Sequence, residues 1–258
     1  MKELSSRILT GIIGIFLLIF VISNGGIYLS SSIFILSIIG LREFYEALKS
    51  IDIVPMNFWG YVFALGVFMM NIYGDVSIDF ILILVVIIVL MSFLFEKRVT
   101  IQDAGATLLG ILYIPFLLSY VYLLDGTEYI WLIFIIAFGT DTFAYITGNL
   151  LGKNKLAPRI SPNKTIEGSI GGVLGSLILT IPYSIFFRIG PLWKVALLTI
   201  IASIISQIGD LVASKIKRIT NIKDYGFIMP GHGGVLDRFD SIIFSAPIVY
   251  YFISYFLI

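Results

Sequence analysis

Long apolar stretches separated by short polar breaks dominate this 258-residue chain. Hydrophobic residues make up 59% of it and charged residues only 13%, a balance typical of polytopic membrane proteins. The stretches have the length of spanning helices, not the ~10-residue alternation of a membrane barrel. The sequence therefore predicts an all-α integral membrane protein with about nine transmembrane helices. The predicted spans are residues 8–23, 27–41, 58–73, 78–95, 106–124, 130–148, 168–187, 191–213 and 241–258.

The first two predicted spans are short for a hydrocarbon core of ~30 Å. This favours a tight helical hairpin that turns at Asn24, Gly25 and Gly26. Because the chain has no cysteine, disulfides and thiolate metal sites are excluded.

The basic residues indicate an orientation. If the N-terminus lies in the cytoplasm, all 17 Lys and Arg residues except Arg188 and Lys194 fall on the cytoplasmic side. The positive-inside rule favours this arrangement. We therefore expect a protein integral to the plasma membrane, with its chemistry on the cytoplasmic face.

Composition divides the chain into two parts. Residues 1–128 are apolar with short connections, which suits helix packing and dimer contacts. Residues 129–258 hold most of the intramembrane polar groups and both long cytoplasmic loops, 149–167 and 214–240. We expect the second part to be catalytic. No internal repeat is evident, which argues against an inverted-repeat transporter.

A polar helical face marks the eighth span. Its members recur at three- and four-residue intervals: Ser203, Ser206, Gln207, Asp210, Ser214 and Lys217. Because an ionisable group at this depth is costly, Asp210 indicates a metal or substrate site. The alternatives are a structural ion pair with Lys217 or a hydrogen bond between helices. Asp141, in the sixth span, could line the same cavity as Asp210 or pair with a base on a neighbouring helix.

The 149–167 loop has bases that could bind phosphates or simply follow the positive-inside rule. Lys164 and Glu167, next to the membrane, are the stronger candidates for binding. The run around Thr165 predicts a helix start with a Thr or Asn cap and an acid in the first turn. Small residues then recur at helical spacing and predict a close helix contact. They are Gly168, Gly171, Gly172, Gly175 and Ser176.

The 214–240 segment, SKIKRITNIKDYGFIMPGHGGVLDRFD, concentrates cations, carboxylates and the chain's single histidine. Glycines around His232 let the backbone approach a ligand closely, although His232 could equally act as a capping residue. Asp237 and Asp240 are three residues apart, so they share a face if a helix starts here. Together with Asp210 they offer the oxygen ligands that Mg²⁺ prefers beside substrate phosphates.

These motifs resemble the phosphatidate cytidylyltransferase family, also called CDP-diacylglycerol synthases. The matching positions are Ser214, Lys217-Arg218, Lys223-Asp224, Gly226, Pro230, His232-Gly233-Gly234, Asp237-Arg238 and Asp240. Met229 stands where the family usually has another apolar residue. The resemblance extends back through residues 161–168 and Asp141, whereas Arg42-Glu43-Phe44 matches only faintly.

The resemblance implies a magnesium-dependent enzyme that makes CDP-diacylglycerol and pyrophosphate from CTP and phosphatidate. It implies a homodimer in contact with membrane lipid, and no nucleic acid. Asp210 and Asp237 would bind Mg²⁺ in a paired-cation centre, with a second cation such as K⁺. The implied catalytic residues are Asp210, Asp237, Asp240, Lys217, Arg238 and His232. The implied substrate contacts are Lys164, Glu167, Asp141, Ser214, Arg218, Lys223, Asp224, Gly233 and Gly234.

Three other functions compete with this interpretation. In a transporter or channel, Asp141 and Asp210 would be ion-coupling carboxylates, but the clustering of polar groups toward one membrane face argues against this. A CDP-alcohol phosphatidyltransferase would need an Asp-Gly-x-x-Ala-Arg pattern, which the sequence lacks. A lipid or polyprenol kinase is a nearer alternative, and its use of ATP instead of CTP would distinguish it.

Overall fold

The computed structural model describes residues 2–74, 76–227 and 233–257, with side chains from residue 11 onward. Most of the chain is helical, as predicted. The helices are α1 (Lys2–Asn24), α2 (Gly26–Lys49), α3 (Asn57–Tyr73), α4 (Ile78–Phe95), α5 (Ile101–Ile111), α6 (Leu117–Tyr122), α7 (Ile130–Leu151), α8 (Ile166–Phe186), α9 (Leu192–Ile219) and α10 (Leu236–Phe252). A π-helical turn, Leu112–Phe116, joins α5 to α6, and another, Ile253–Leu257, follows α10.

Seven segments within the described part of the chain are long and apolar enough to cross a membrane. They are Gly26–Lys49, Ile78–Phe95, Ile101–Tyr122, Ile130–Leu151, Ile166–Phe186, Leu192–Ile219 and Leu236–Leu257. The other two predicted spans coincide with α1, whose described side chains, Gly11–Asn24, form a shorter apolar segment, and with α3, which has 17 residues. The protein is therefore a helical membrane protein, while the count of nine spans and the N-terminal orientation stay predictions.

A small β-hairpin corrects the all-α prediction. Strands β1 (Lys155–Ala157) and β2 (Ser161–Thr165) pair antiparallel. Thr165, the last residue of β2, is also the N-cap of α8. The strands are short and polar and contain Pro162, so they lack the apolar alternation by which a half-buried strand is recognised. The predicted 149–167 loop is therefore partly ordered as a hairpin.

Both ends of the predicted 214–240 loop are helical. Helix α9 continues to Ile219, so Ser214 and Lys217 lie on the helix and keep the spacing of its polar face. Helix α10 begins at Leu236, earlier than the predicted span 241–258, so Asp237 and Asp240 lie in its first turns and not in a loop.

The chain forms two compact units. The first unit comprises Met1–Asp125 and Thr220–Arg238, and the second comprises Gly126–Ile219 and Phe239–Ile258. The predicted roles of residues 1–128 in packing and dimer contacts, and of residues 129–258 in catalysis, stay predictions.

In the first unit, α1 and α2 form the predicted hairpin with Gly25 as its turn. Gly25 has a φ of 57°, a left-handed value that glycine adopts without strain. The Gly26 N–H donates a hydrogen bond to Asp125 Oδ2 at 2.6 Å. A buried core around Phe63, Val85 and Ile111 joins α3, α4 and α5.

In the second unit, α7 and α8 pack closely through glycines, which confirms the prediction from small-residue spacing. A Cβ at Gly172 would lie 2.8 Å from the Thr140 carbonyl oxygen, and one at Gly168 would lie 2.8 Å from the Ala144 carbonyl oxygen. A larger residue at either position would overlap the backbone of α7, so glycine is needed for this close approach. Close contact of this kind stabilises the packing of membrane helices.

Candidate active site

Asp210 forms an ion pair in the second unit with Lys164, which β2 presents. Both side chains are 28% exposed. Ser214, one turn further along α9, donates a hydrogen bond to Asp210 Oδ1 at 3.3 Å. The two segments that the sequence singled out, the 149–167 loop and the end of α9, therefore meet at this carboxylate.

Asp141 and Asp240 belong to the same polar region. The Ser241 hydroxyl donates to Asp141 Oδ2 at 3.0 Å, and the Ser241 N–H donates to Asp240 Oδ1 at 2.7 Å. Asp240 is buried, with 6% of its surface exposed. It lies near enough to Asp141 and Asp210 to be repelled by their charges, and Lys217 attracts it. We call Asp141, Asp210 and Asp240 the carboxylate cluster; it joins α7, α9 and α10.

The remaining polar groups of α9 mainly connect helices. The Thr140 hydroxyl donates to Ser203 Oγ at 2.7 Å, and the Gln207 amide donates to the Ser169 carbonyl at 3.3 Å. Ser206 Oγ is buried and has no hydrogen-bond partner among the described residues. Hydrogen bonding between helices therefore explains Ser203 and Gln207, while the charged chemistry begins one turn later, at Asp210.

Glu167 organises the 149–167 segment. Its carboxylate accepts the Lys153 N–H at 3.1 Å, the Asn154 N–H at 3.2 Å and the Asn154 side-chain amide at 2.8 Å. Thr165 caps α8 by accepting the Gly168 N–H at 3.0 Å, which confirms the predicted helix start. These contacts position the strand that carries Lys164. A direct contact between Glu167 and substrate stays a prediction.

Arg218 also positions the hairpin. Its Nε donates to the Ile160 carbonyl at 3.1 Å, between the two strands. This bond fixes the hairpin against the end of α9. The predicted role of Arg218 in substrate binding stays a prediction.

In the first unit, Asp237 holds the start of α10. Its Oδ2 accepts the N–H groups of Tyr225 and Gly234, each at 2.9 Å. Gly233 has a φ of 87°, so the chain turns here in a conformation that favours glycine. Asp237 therefore has a structural role at the start of α10. The predicted contacts of Gly233, Gly234 and Asp237 with substrate or metal stay predictions.

Glu43 is absent from the site residues that the sequence predicted. It is buried in α2, with 5% of its surface exposed. Its carboxylate accepts the Val235 N–H at 3.0 Å and the Leu236 N–H at 2.9 Å. The only signal in the sequence was an acid just after the second apolar stretch, in the faintly matching Arg42-Glu43-Phe44.

The other predicted residues divide by exposure. Lys223 and Arg238 are exposed, and Asp224 is half-buried. His232, like Met229 and Pro230, lies outside the described residues. The predicted roles of all these positions stay predictions.

The carboxylate cluster fits magnesium only if phosphates or waters complete the coordination. Within residues 2–74, 76–227 and 233–257, no group of three Asp, Glu, His or Cys side chains is close enough to enclose a metal ion. Mg²⁺ usually keeps several waters and takes one or two carboxylates together with substrate phosphates. Hard oxygen donors beside basic side chains match that requirement.

Comparison with known proteins identifies relatives of the sequence. The sequence model of the cytidylyltransferase family matches residues 5–256. The chain belongs to this family. The phosphatidate cytidylyltransferase of Staphylococcus saprophyticus is 37% identical over 255 residues, which cover 94% of this chain and 96% of the relative.

Two further relatives of the same name agree. The phosphatidate cytidylyltransferase of Staphylococcus haemolyticus is 37% identical over 252 residues, and that of Staphylococcus aureus strain COL is 36% identical over 254. In both cases the match covers 94% of this chain and 96% of the relative. The family membership inferred from the 214–240 motif is confirmed, and it extends across both units of the chain.

Proposed function

We propose that this protein transfers the cytidylyl group of CTP to phosphatidate, giving CDP-diacylglycerol and pyrophosphate. The observation that carries the proposal is the family match over residues 5–256, together with relatives named phosphatidate cytidylyltransferase at 37% identity. The protein is accordingly a nucleotidyltransferase of phospholipid biosynthesis, with CTP and phosphatidate as its substrates.

The reaction is an in-line displacement. A phosphatidate oxygen attacks the α-phosphorus of CTP, a new P–O bond forms, and the bond to the β-phosphate oxygen breaks. Pyrophosphate leaves with that electron pair. The barrier comes mainly from bringing anions together, so positioning and charge neutralisation supply the catalysis and no covalent enzyme intermediate is needed.

The basic side chains are proposed to neutralise this charge. Lys164 and Lys217 contact or attract members of the carboxylate cluster, so they are close to the proposed metal ligand Asp210. Arg218, Lys223 and Arg238 come from the 214–240 segment and are exposed, as groups that meet a soluble nucleotide must be. Neutralising any of them should raise the KM for CTP or lower kcat.

Asp210 and Asp237 are proposed to hold magnesium, with a second cation such as K⁺ beside it. Asp240 is proposed to assist from its buried position near Asp210. This assignment follows the family motif, and the Asp210 carboxylate, which pairs with Lys164, is a donor of the kind that magnesium takes beside phosphates. When bound, magnesium would neutralise charge on the reacting phosphates.

The site is proposed to face the cytoplasm from the plasma membrane, in a homodimer. CTP is soluble, whereas phosphatidate stays anchored by its acyl chains. Removing these chains from lipid would cost about 0.8 kcal/mol per CH₂ group. The site therefore needs to open sideways to the lipid as well as to the cytoplasm.

Release of pyrophosphate tests the function directly. The purified full chain in proteoliposomes would be supplied with CTP and Mg²⁺, with and without phosphatidate. We expect release that depends on phosphatidate and on CTP, with an Asp210→Asn variant as the inactive control. Equal release without phosphatidate, or a preference for ATP with phosphate transfer to lipid, would overturn the proposal.

A further inference from the structure

Glu43 is a buried carboxylate that the proposed reaction does not use. It lies near the end of α2, and its two oxygens each accept one backbone N–H, from Val235 and Leu236. Leu236 is the first residue of α10. The first amides of a helix have no partner within the helix, and the preceding residue, Val235, has no polar side chain to cap them. Glu43 supplies the missing acceptors from a distant part of the sequence.

Two glycines let the chain close on this carboxylate. A Cβ at Gly234 would lie 2.6 Å from Glu43 Oε1 and 2.7 Å from Oε2. A Cβ at Gly226 would also overlap Oε1. Any larger residue at Gly234 would therefore push against the Glu43 carboxylate or displace the start of α10.

The same short stretch holds Asp237. Asp237 Oδ2 accepts the Gly234 and Tyr225 N–H groups, whose neighbours in sequence contact Glu43. The two carboxylates are close enough for their charges to repel each other. Backbone N–H groups donate to both carboxylates, which offsets this repulsion. The two that donate to Asp237 also fix the orientation of its side chain.

We propose that Glu43 is a positioning residue, which holds Gly234–Leu236 so that Asp237 is aimed for metal binding. This inference rests on the proposed function and on the role proposed for Asp237. It gives the N-terminal part of the chain a defined task in catalysis. Glu43 itself touches neither substrate nor metal in this scheme.

A matched pair of variants on α2 tests the role. Glu43→Gln keeps the volume but turns an amide donor toward a backbone N–H, so at least one charge-assisted bond is lost. Glu46→Gln is the control, because Glu46 is exposed and pairs with Lys49 at 2.7 Å. We expect Glu43→Gln to lower kcat roughly ten- to a hundredfold, the range set by one hydrogen bond to a charged group. The KM for CTP should change less than about twofold, because Glu43 makes no contact with the nucleotide in this scheme. Glu46→Gln should match the wild type in both constants.

A second readout does not depend on turnover. Binding of Mn²⁺ to the purified protein, followed by electron paramagnetic resonance, should be weaker in Glu43→Gln and unchanged in Glu46→Gln. Gly234→Ala keeps the Glu43 side chain but pushes against its carboxylate or displaces the start of α10, so it should also weaken Mn²⁺ binding. This variant keeps the test decisive if Glu43→Gln does not fold.

The outcomes separate the two proposals. A Glu43→Gln protein with wild-type kcat and Mn²⁺ affinity, even if it melts at a lower temperature, would show that Glu43 is only structural. If wild type and Glu46→Gln both fail to release pyrophosphate with phosphatidate, the proposed function is wrong. The comparison of Mn²⁺ binding would still decide whether Glu43 positions Asp237.

Discussion

Replacing Gly172 with alanine tests how tightly α7 and α8 pack in the second unit. The added Cβ would lie 2.8 Å from the Thr140 carbonyl oxygen, 3.1 Å from Ala144 Cβ and 3.2 Å from Thr140 Cγ2. The first two atoms belong to, or are fixed directly on, the backbone of α7. They cannot rotate away, so the helices must separate.

The expected magnitude follows from two opposing effects. Overpacking costs about 1–3 kcal/mol, whereas alanine is favoured over glycine within a helix by roughly 0.5–1 kcal/mol. The net loss is therefore between about 0 and 2.5 kcal/mol, with a midpoint of ~1 kcal/mol. Gly105 in α5 is the matched control, because a Cβ there would have no heavy atom within 4 Å. Gly105→Ala should be neutral or stabilising by up to ~1 kcal/mol.

Thermal unfolding of the three proteins in one detergent, at one scan rate, measures the difference. A change of 1 kcal/mol shifts the Tm of a chain this long by roughly 2–4 °C. Gly172→Ala should melt lower than wild type and Gly105→Ala at the same temperature or higher. If Gly172→Ala melted at or above the temperature of Gly105→Ala, the close packing of α7 and α8 would be refuted.

Three further predictions concern the site. Asp210→Asn should lower turnover more than tenfold, a loss of transition-state stabilisation above about 1.4 kcal/mol. Because the ion pair with Lys164 is partly exposed, the protein should lose only about 1 kcal/mol of stability or less. Activity and Tm measured on one preparation check both effects, and activity above a tenth of wild type would contradict the metal assignment. Glu167→Gln should loosen the turn at Asn154 and speed proteolysis of the hairpin, which limited digestion measures. An unchanged cleavage pattern would argue that the Glu167 carboxylate does not hold this turn. Single cysteines at the exposed positions Arg159 and Lys223, in this cysteine-free chain, should resist a membrane-impermeant thiol reagent on sealed right-side-out vesicles; labelling from outside would overturn the cytoplasmic orientation.

Local patterns in the sequence determined the helices. A helix forms its hydrogen bonds within one segment, so apolar length and breaks suffice to place it. The same holds for the turn at Gly25, the Thr165 cap and the glycine contact of α8, each of which depends on residues a few positions apart. The chemical motif of 214–240 was also legible, because its charges are consecutive in an otherwise apolar chain.

The partners of the charged groups were decided only by the tertiary structure. The sequence suggested an ion pair between Asp210 and Lys217, because both lie on one helix face. The observed ion pair of Asp210 is with Lys164 on the hairpin. Helical spacing fixes which residues share a face, but it does not fix which loop folds over that face. The hairpin itself was missed because its strands pair with each other and have no apolar face to bury.

Glu43 shows the same limit most clearly. Nothing in its local sequence indicates that it binds amides at the start of α10, 192 and 193 residues away. An acid at the end of an apolar helix is by itself compatible with exposure, ion pairing or capping. Only the packing of α2 beside Gly226 and Gly234 leaves the carboxylate buried with backbone N–H groups as its partners. The sequence thus determined the helices and the chemistry of the motif, while long-range packing decided which side chains hold that motif in place.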